Sequence, residues 1–290
     1  MNVLKTTLLM ALLTGLMVAI GGAIEGSTGA IIMLVISIGM NFFSYWFSDS
    51  MVLKMYNARE ISENDSPQLF NIVKNLTQKA ELPMPKVYII DSDVPNAFAT
   101  GRNPEHAAVA VTTGIMRALD YNEISGVLGH ELAHVKHRDI LTGTIAASMA
   151  GVISMVANIV QWGAIFGTRS EDENGGMIGT LATIIIAPLA ASLIQMAISR
   201  SREYDADKSG GEYCGNPLYL ASALEKIEYY AQRNTLEHST TSTAHMFIVN
   251  PLEGASVKLK SLFSTHPATE DRIAKLREQA LQLGVGNALQ

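Results

Sequence analysis

Four uncharged runs organise the chain: residues 6–24, 26–48, 140–168 and 174–199, which are 19, 23, 29 and 26 residues long. About 20 predominantly apolar residues cross the hydrocarbon core of a bilayer as a helix, so each run is long enough to span. None shows the strict alternation of barrel strands, and helices are the other way to satisfy a backbone in lipid. The runs pair across two short interruptions, Glu25 and the stretch 169–173. That pairing predicts two helical hairpins. The first run could instead be a cleaved signal peptide, since Lys5 precedes it and residues 21–23 are small. It is long for that role, and a second run follows at once. The length and Ala/Gly/Ser content of the third favour a packed membrane helix over a buried core helix. Pro188 predicts a kink or an interrupted turn in the fourth.

The remaining stretches carry soluble patterns. Ser66 followed by Pro67 predicts a capped helix start, and Leu69, Ile72, Val73 and Leu76 then mark one face up to Glu81. Residues 86–90 read as a short strand. Two more strands are predicted at 96–100 and 107–112, separated by a turn at 101–104, and a helix follows from about Asn122. Beyond the fourth run come helical stretches near 199–210 and 217–232, a polar loop rich in Ser and Thr, and a helix from about Ala268. The expected organisation is a membrane hairpin at 1–53, a water-facing α/β part at 54–139, a second hairpin at 140–199 and a second water-facing part at 200–290.

Composition sharpens this division. Charged residues make up 17% of the chain, against about 25% in an ordinary soluble domain. Residues 1–53 and 141–199 together hold only seven of the 48 charges. A net charge of −6 gives no electrostatic footprint for nucleic acid. The single cysteine, Cys214, excludes an intrachain disulfide or a thiolate metal cluster, and it reads as a packing residue. Seven Lys and Arg near the run ends (5, 54, 59, 136, 138, 200 and 202) lie on the side of the termini, against one, Arg169, on the other. The positive-inside rule therefore places both termini and the water-facing parts in the cytoplasm.

The candidate chemistry begins at His130-Glu131-Leu132-Ala133-His134. Residues four apart on a helix project from one face, so both imidazoles aim at one point, and neutral imidazole nitrogens suit Zn²⁺. Glu131 turns about 100° away from that line, where it can reach a water rather than the ion. A catalytic zinc usually takes three protein ligands, and no histidine follows at the spacing of the HExxHxxGxxH pattern. His137 and Asp139 sit where that pattern asks for nothing.

The best third ligand is Glu203. If the His130–His134 helix runs straight into the third run, His134 lies about 10 Å before its start and Glu203 about 8 Å beyond the end of the fourth. Antiparallel helices leaving the bilayer side by side would then level the three donors just above the cytoplasmic surface. The plainer role for Glu203 is a snorkelling charge at a span end. Asp207, four residues on, is placed to fix the tautomer of a ligand imidazole; its plainer role is an exposed helix charge. His106 and His238 read as solvated, and His245 is evenly balanced. His266, before Pro267 and in line with Arg272, is a candidate to stabilise an oxyanion.

The segments HELAHVKHRD, SRSREYDAD, NAFATG, TAHMFIVNP and STHPATEDRI, in this order with two hairpins, resemble the HtpX family of bacterial membrane metalloproteases, which is related to the CAAX prenyl protease zinc peptidases. The resemblance covers essentially the whole chain. It implies an integral membrane α-helical protein with four transmembrane helices and a cytoplasmic α+β zincin-like (gluzincin) protease domain in the bacterial inner membrane. It implies one Zn²⁺ per chain on His130, His134 and Glu203, with Glu131 as catalytic carboxylate and Asp207 supporting a ligand. It further implies unfolded or membrane protein substrates, a role in quality control and stress response, and a substrate-pairing edge strand that includes Asn96, Ala97 and Phe98. The rival expectations are a specific prenyl-protein protease and a membrane scaffold that binds zinc without catalysis.

Overall fold

The computed structural model describes residues 2–145, 200–233 and 267–285. The third and fourth uncharged runs lie outside the described residues except for 140–145, as do His238, His245 and His266. Helix α1 spans Asn2–Met55 and breaks at Glu25 and Gly26, where Gly26 takes a φ of +57°. Its two halves fold back on each other. Asn41 Nδ2 donates to Thr14 Oγ1 at 2.9 Å, and a side chain at either Gly21 or Gly29 would strike the backbone of the other. Small residues and interhelical polar bonds are how helices pack where lipid supplies no hydrophobic drive. The second half, Glu25–Met55, is long and apolar enough to cross a membrane. Its exposed surface is Ile31, Val35, Ile38 and Phe42, each more than half exposed.

Among the described residues, the part after α1 is built on a four-stranded sheet. Strand β1 is Arg59–Glu60, β2 is Lys86–Ile90, β3 is Ala97–Gly101 and β4 is Ala107–Thr112. Their order is β1-β2-β4-β3, with β2 and β4 parallel and both outer pairs antiparallel. Strand β4 is buried along its whole length, as a central strand covered on both faces must be. One face, with Ile90, Phe98, Ala108 and Ala110, packs on Val52 and Leu53 at the end of α1. The other face, with Val87, Ala97, Val109 and Val111, belongs to the main helical core.

That core is made by α2 (Pro67–Ala80), α3 (Thr113–Ala118), α4 (Tyr121–Lys136), α5 (Arg200–Cys214), α6 (Pro217–Arg233) and α7 (Thr269–Gln282). Helix α2 buries Leu69, Ile72, Val73 and Leu76, the face its periodicity predicts. Pro67 does open it, but Ser66 makes no side-chain cap bond. Helix α4 starts on a reciprocal capping box between Asp120 and Glu123. Buried Glu123 also accepts from Ser222 Oγ at 2.6 Å and Lys226 Nζ at 2.7 Å, which ties α4 to α6.

The straight passage from α4 into the third run is not what forms. Helix α4 ends at Lys136, Arg138 takes a left-handed φ of +59°, and a new helix begins at residue 140. The break redirects the chain before it enters the apolar run. Helices α4 and α5 nevertheless run antiparallel in contact. They touch at Gly129 and Gly210, where a Cβ on Gly210 would meet His130 N at 2.6 Å and His130 Cα at 2.8 Å. Those neighbours are backbone and have no rotamer to yield.

Replacing Gly210 by Ala should therefore push α5 off α4 and cost about 1–3 kcal/mol. The expected outcome is a lower thermal midpoint together with loss of bound metal in the purified protein. A variant that keeps both at wild-type level contradicts the close crossing.

Candidate metal centre

The antiparallel register of α4 and α5 brings the sequence-predicted residues together. His130 and His134 face Glu203 across the crossing, and one donor atom from each lies within 4.8 Å of the others. His130 Nε2 and His134 Nε2 are 3.2 Å apart, and Glu203 Oε2 and Oε1 lie 3.7 and 3.5 Å from them respectively. A tetrahedral ion with bonds of about 2.0–2.1 Å spaces its donors by about 3.3 Å, so the set fits zinc without rearrangement. His130 and Glu203 are buried, and Glu203 is no snorkelling surface charge.

Asp207 takes its expected place. Its Oδ1 lies 2.8 Å from His130 Nδ1, which leaves Nε2 bare for the donor cluster. It is gripped by Arg272 through Nε (2.8 Å) and Nη2 (2.7 Å), a bidentate pair from α7 that is itself fully buried. Burial opposes ionisation of Asp207, but the guanidinium overrides it and holds the carboxyl well below the usual carboxylate range. In the sequence Arg272 is noted only as lying in line with His266. An arginine in an amphipathic helix gives no sign of which distant carboxylate it meets.

A second partner went unread as well. Asp139, passed over in the motif spacing, lies with Oδ2 3.4 Å from His134 Nδ1, and Arg202 Nη1 donates to its other oxygen at 3.2 Å. Burial would keep the His134 ring neutral, but the Glu203 carboxylate, helped by Asp139 and Glu131, outweighs this and raises its pKa from 6.5 to about 9. Without a metal, the cluster draws in a proton in its place.

Glu131 points across to the sheet. Its Oε2 accepts the Ala99 N–H of β3 at 2.9 Å. Among the described residues strand β3 is an edge strand, paired only with β4, and it lies against α4. The contact with the site is made by the Ala99 backbone and not by the expected substrate residues. Asn96, Ala97 and Phe98 are all buried, and Phe98 stacks toward Tyr56 at 5.3 Å between ring centres. Cys214 is a packing residue, its thiol bonded to the Gly211 and Asn216 carbonyls and pushed up by burial. His106 is exposed and bonds Asn103, as a solvated residue does.

Comparisons with known proteins fit this geometry. The model of peptidase family M48 matches residues 63–280. A protein described as Protease HtpX homolog, from Methylibium petroleiphilum, is 57% identical over 278 residues, covering 95% of this chain and 96% of its own. Proteins of the same description from Burkholderia multivorans and Syntrophobacter fumaroxidans are 56% and 55% identical. They cover 96% and 94% of this chain, and 97% and 98% of their own. Among solved structures, that of S. mikatae Ste24p is similar with a TM-score of 0.52 at 17% identity. The match covers 95% of this chain but only 65% of Ste24p, and the likeness is one of fold.

The His134 shift carries a pH signature. A pKa raised on folding means that the folded state holds this proton more tightly than the unfolded one. The resulting stability is fully present below pH 6.5 and is lost as pH rises through 9. Chelator-treated protein should accordingly lose resistance to chemical denaturation between pH 6.5 and 9, and His134→Gln should flatten that slope. A wild-type profile that is level or rising across this window would contradict it.

Proposed function

The chain belongs to peptidase family M48 and is a membrane zinc metalloprotease, and on that footing we propose that His130, His134 and Glu203 hold its single zinc ion while Glu131 serves as the general base. The observation that carries this reading is the convergence of three donor atoms at tetrahedral spacing, with a carboxylate beside them on the same helix. Bound there, zinc would supply Lewis-acid polarisation of a scissile carbonyl and would acidify water near neutral pH. Glu131 would serve as the carboxylate that accepts a proton from the attacking water and returns it to the leaving nitrogen. The Ala99 N–H holds the Glu131 carboxylate at the mouth of the cleft. Asp207, fixed by Arg272, keeps the His130 tautomer that turns Nε2 inward.

An extended substrate segment adds a strand to the outer edge of β3, where its backbone takes over the Ala99 N–H that Glu131 accepts in its absence. Such backbone pairing ignores most side chains, which suits unfolded stretches of membrane proteins and a role in quality control. The charge asymmetry around the four uncharged runs supports a bacterial inner-membrane protein with four spans, its site and both termini in the cytoplasm. His266 remains the candidate for oxyanion stabilisation.

Glu131→Ala should abolish peptide cleavage with zinc still bound, and Glu203→Ala should lose zinc from the purified protein. Residual proteolysis in the first variant would rule out the general base. Full zinc stoichiometry in the second would rule out the third ligand. Incubating zinc-loaded protein with an unfolded protein and, separately, with a prenylated peptide should give cleavage of the former. Exclusive cleavage of the prenylated peptide would point to the CAAX-type reading.

A further inference from the structure

Each of the two histidines on α4 has a far nitrogen that needs a partner. Asp207 and Arg272 supply one for His130. On the other flank an equivalent series stands around His134: its Nδ1 lies 3.4 Å from Asp139 Oδ2, and Asp139 Oδ1 accepts from Arg202 Nη1 at 3.2 Å. The side chains of His134, Asp139 and Arg202 are 15%, 8% and 15% exposed, so this pair is shielded from water. Both series run imidazole to aspartate to arginine, although Asp207 sits inside α5 and Asp139 in the turn that ends α4.

The turn is shaped to bring that carboxylate back. Arg138 adopts a left-handed conformation that a residue with a side chain rarely takes, and Asp139 N then donates to the His134 carbonyl at 2.9 Å. The chain folds over the last turn of α4 and presents Asp139 to the ring it has just passed. Arg202 arrives from the first turn of α5, one residue before Glu203.

We infer that Asp139, braced by Arg202, is the positioning residue of the second metal ligand: it accepts the Nδ1–H of His134 and fixes the tautomer whose bare Nε2 faces Glu203. A neutral imidazole has one N–H and one lone pair, and the acceptor beside one nitrogen decides which nitrogen can ligate. Because Asp139 acts through His134, this role rests on His134 being a metal ligand.

A purely structural role is the competing explanation. Asp139 immediately precedes the helix that begins at 140, and its carbonyl accepts from Gly143 N at 3.4 Å, as a helix cap does. Serine caps a helix as well as aspartate but is too short to reach His134. Asp139→Ser therefore separates the two roles.

The test measures zinc affinity of the full-length purified protein by chelator competition, alongside the visible spectrum of the Co²⁺-substituted form and the thermal midpoint of the metal-free form. Asp139→Ser should bind zinc about 10–100-fold more weakly with an altered Co²⁺ spectrum, while the metal-free midpoint reads separately the loss of the Arg202 pair. Asp139→Asn, which keeps an acceptor oxygen, should fall between the two. Arg202→Gln, which loosens the brace, should also weaken zinc, and it carries the test if Asp139→Ser does not fold. Wild-type zinc affinity and Co²⁺ spectrum in Asp139→Ser, or wild-type affinity in Arg202→Gln where that variant stands in, overturns the positioning role. Wild-type affinity in His134→Ala overturns the metal-site reading itself.

Discussion

Everything at the centre depends on two helix backbones lying in contact. Gly129 on α4 and Gly210 on α5 have no side chains to hold the axes apart, and a Cβ on either would meet the other helix's backbone. The donors that converge on the site are short: two imidazoles from one helix and one carboxylate from the other. Side chains of that reach meet at tetrahedral spacing only when the axes come unusually close. Gly126 extends the same device to α6, where a Cβ would meet Leu220 N at 2.5 Å. The glycines of α4 thus lie on the faces that bring in its partners, and the helix tolerates their weak propensity because packing and the Asp120–Glu123 capping box hold it.

The close approach gathers charge that needs balancing. Among the described residues, four carboxylates, from Glu131, Asp139, Glu203 and Asp207, and two guanidinium groups, from Arg202 and Arg272, stand around the two histidines. Two negative charges are left over in a largely water-excluded place, where an uncompensated charge is costly. A divalent cation restores neutrality. The same carboxylates push the His134 pKa upward against its burial. The arginines are also selective in where they act. Each binds the aspartate that sits against a histidine ring nitrogen.

The legible parts of this arrangement are those written locally. His130 and His134 share a face because helical period and their spacing dictate it, and Glu203 and Asp207 are found by the same rule applied to a second charged helix. Strands β2, β3 and β4 show as short apolar runs between turn residues. What escaped has its cause in another part of the chain. Arg272 meets Asp207 across 65 positions, and Arg202 meets Asp139 across 63, through a packing geometry that no window of sequence contains. The break after Lys136 escaped for a different reason. Arg138 carries a left-handed φ that its residue type disfavours, so local propensity argues for the continuous helix that tertiary structure overrides. Ala99 escaped because its contribution is an N–H, which every residue but proline possesses.

Strand β3 is where the membrane-facing and catalytic parts meet. On one side Phe98 packs against Tyr56, and Arg102, just beyond the strand, stacks over Trp46 at 4.8 Å, both aromatic partners belonging to α1 or its end. Thr100 meets Thr144, in the helix that begins at residue 140, at 3.1 Å. On the other side the Ala99 N–H holds Glu131. An edge strand held from only one side drifts, and a drift of 1 Å at the reacting atoms is enough to cost much of a rate. Here the apolar helix and the start of the third run hold the strand on one side while its other edge meets Glu131. The membrane-facing elements are therefore walls of the cleft as well as anchors: detached from them, β3 would keep its pairing with β4 but lose the contacts that set its distance from Glu131.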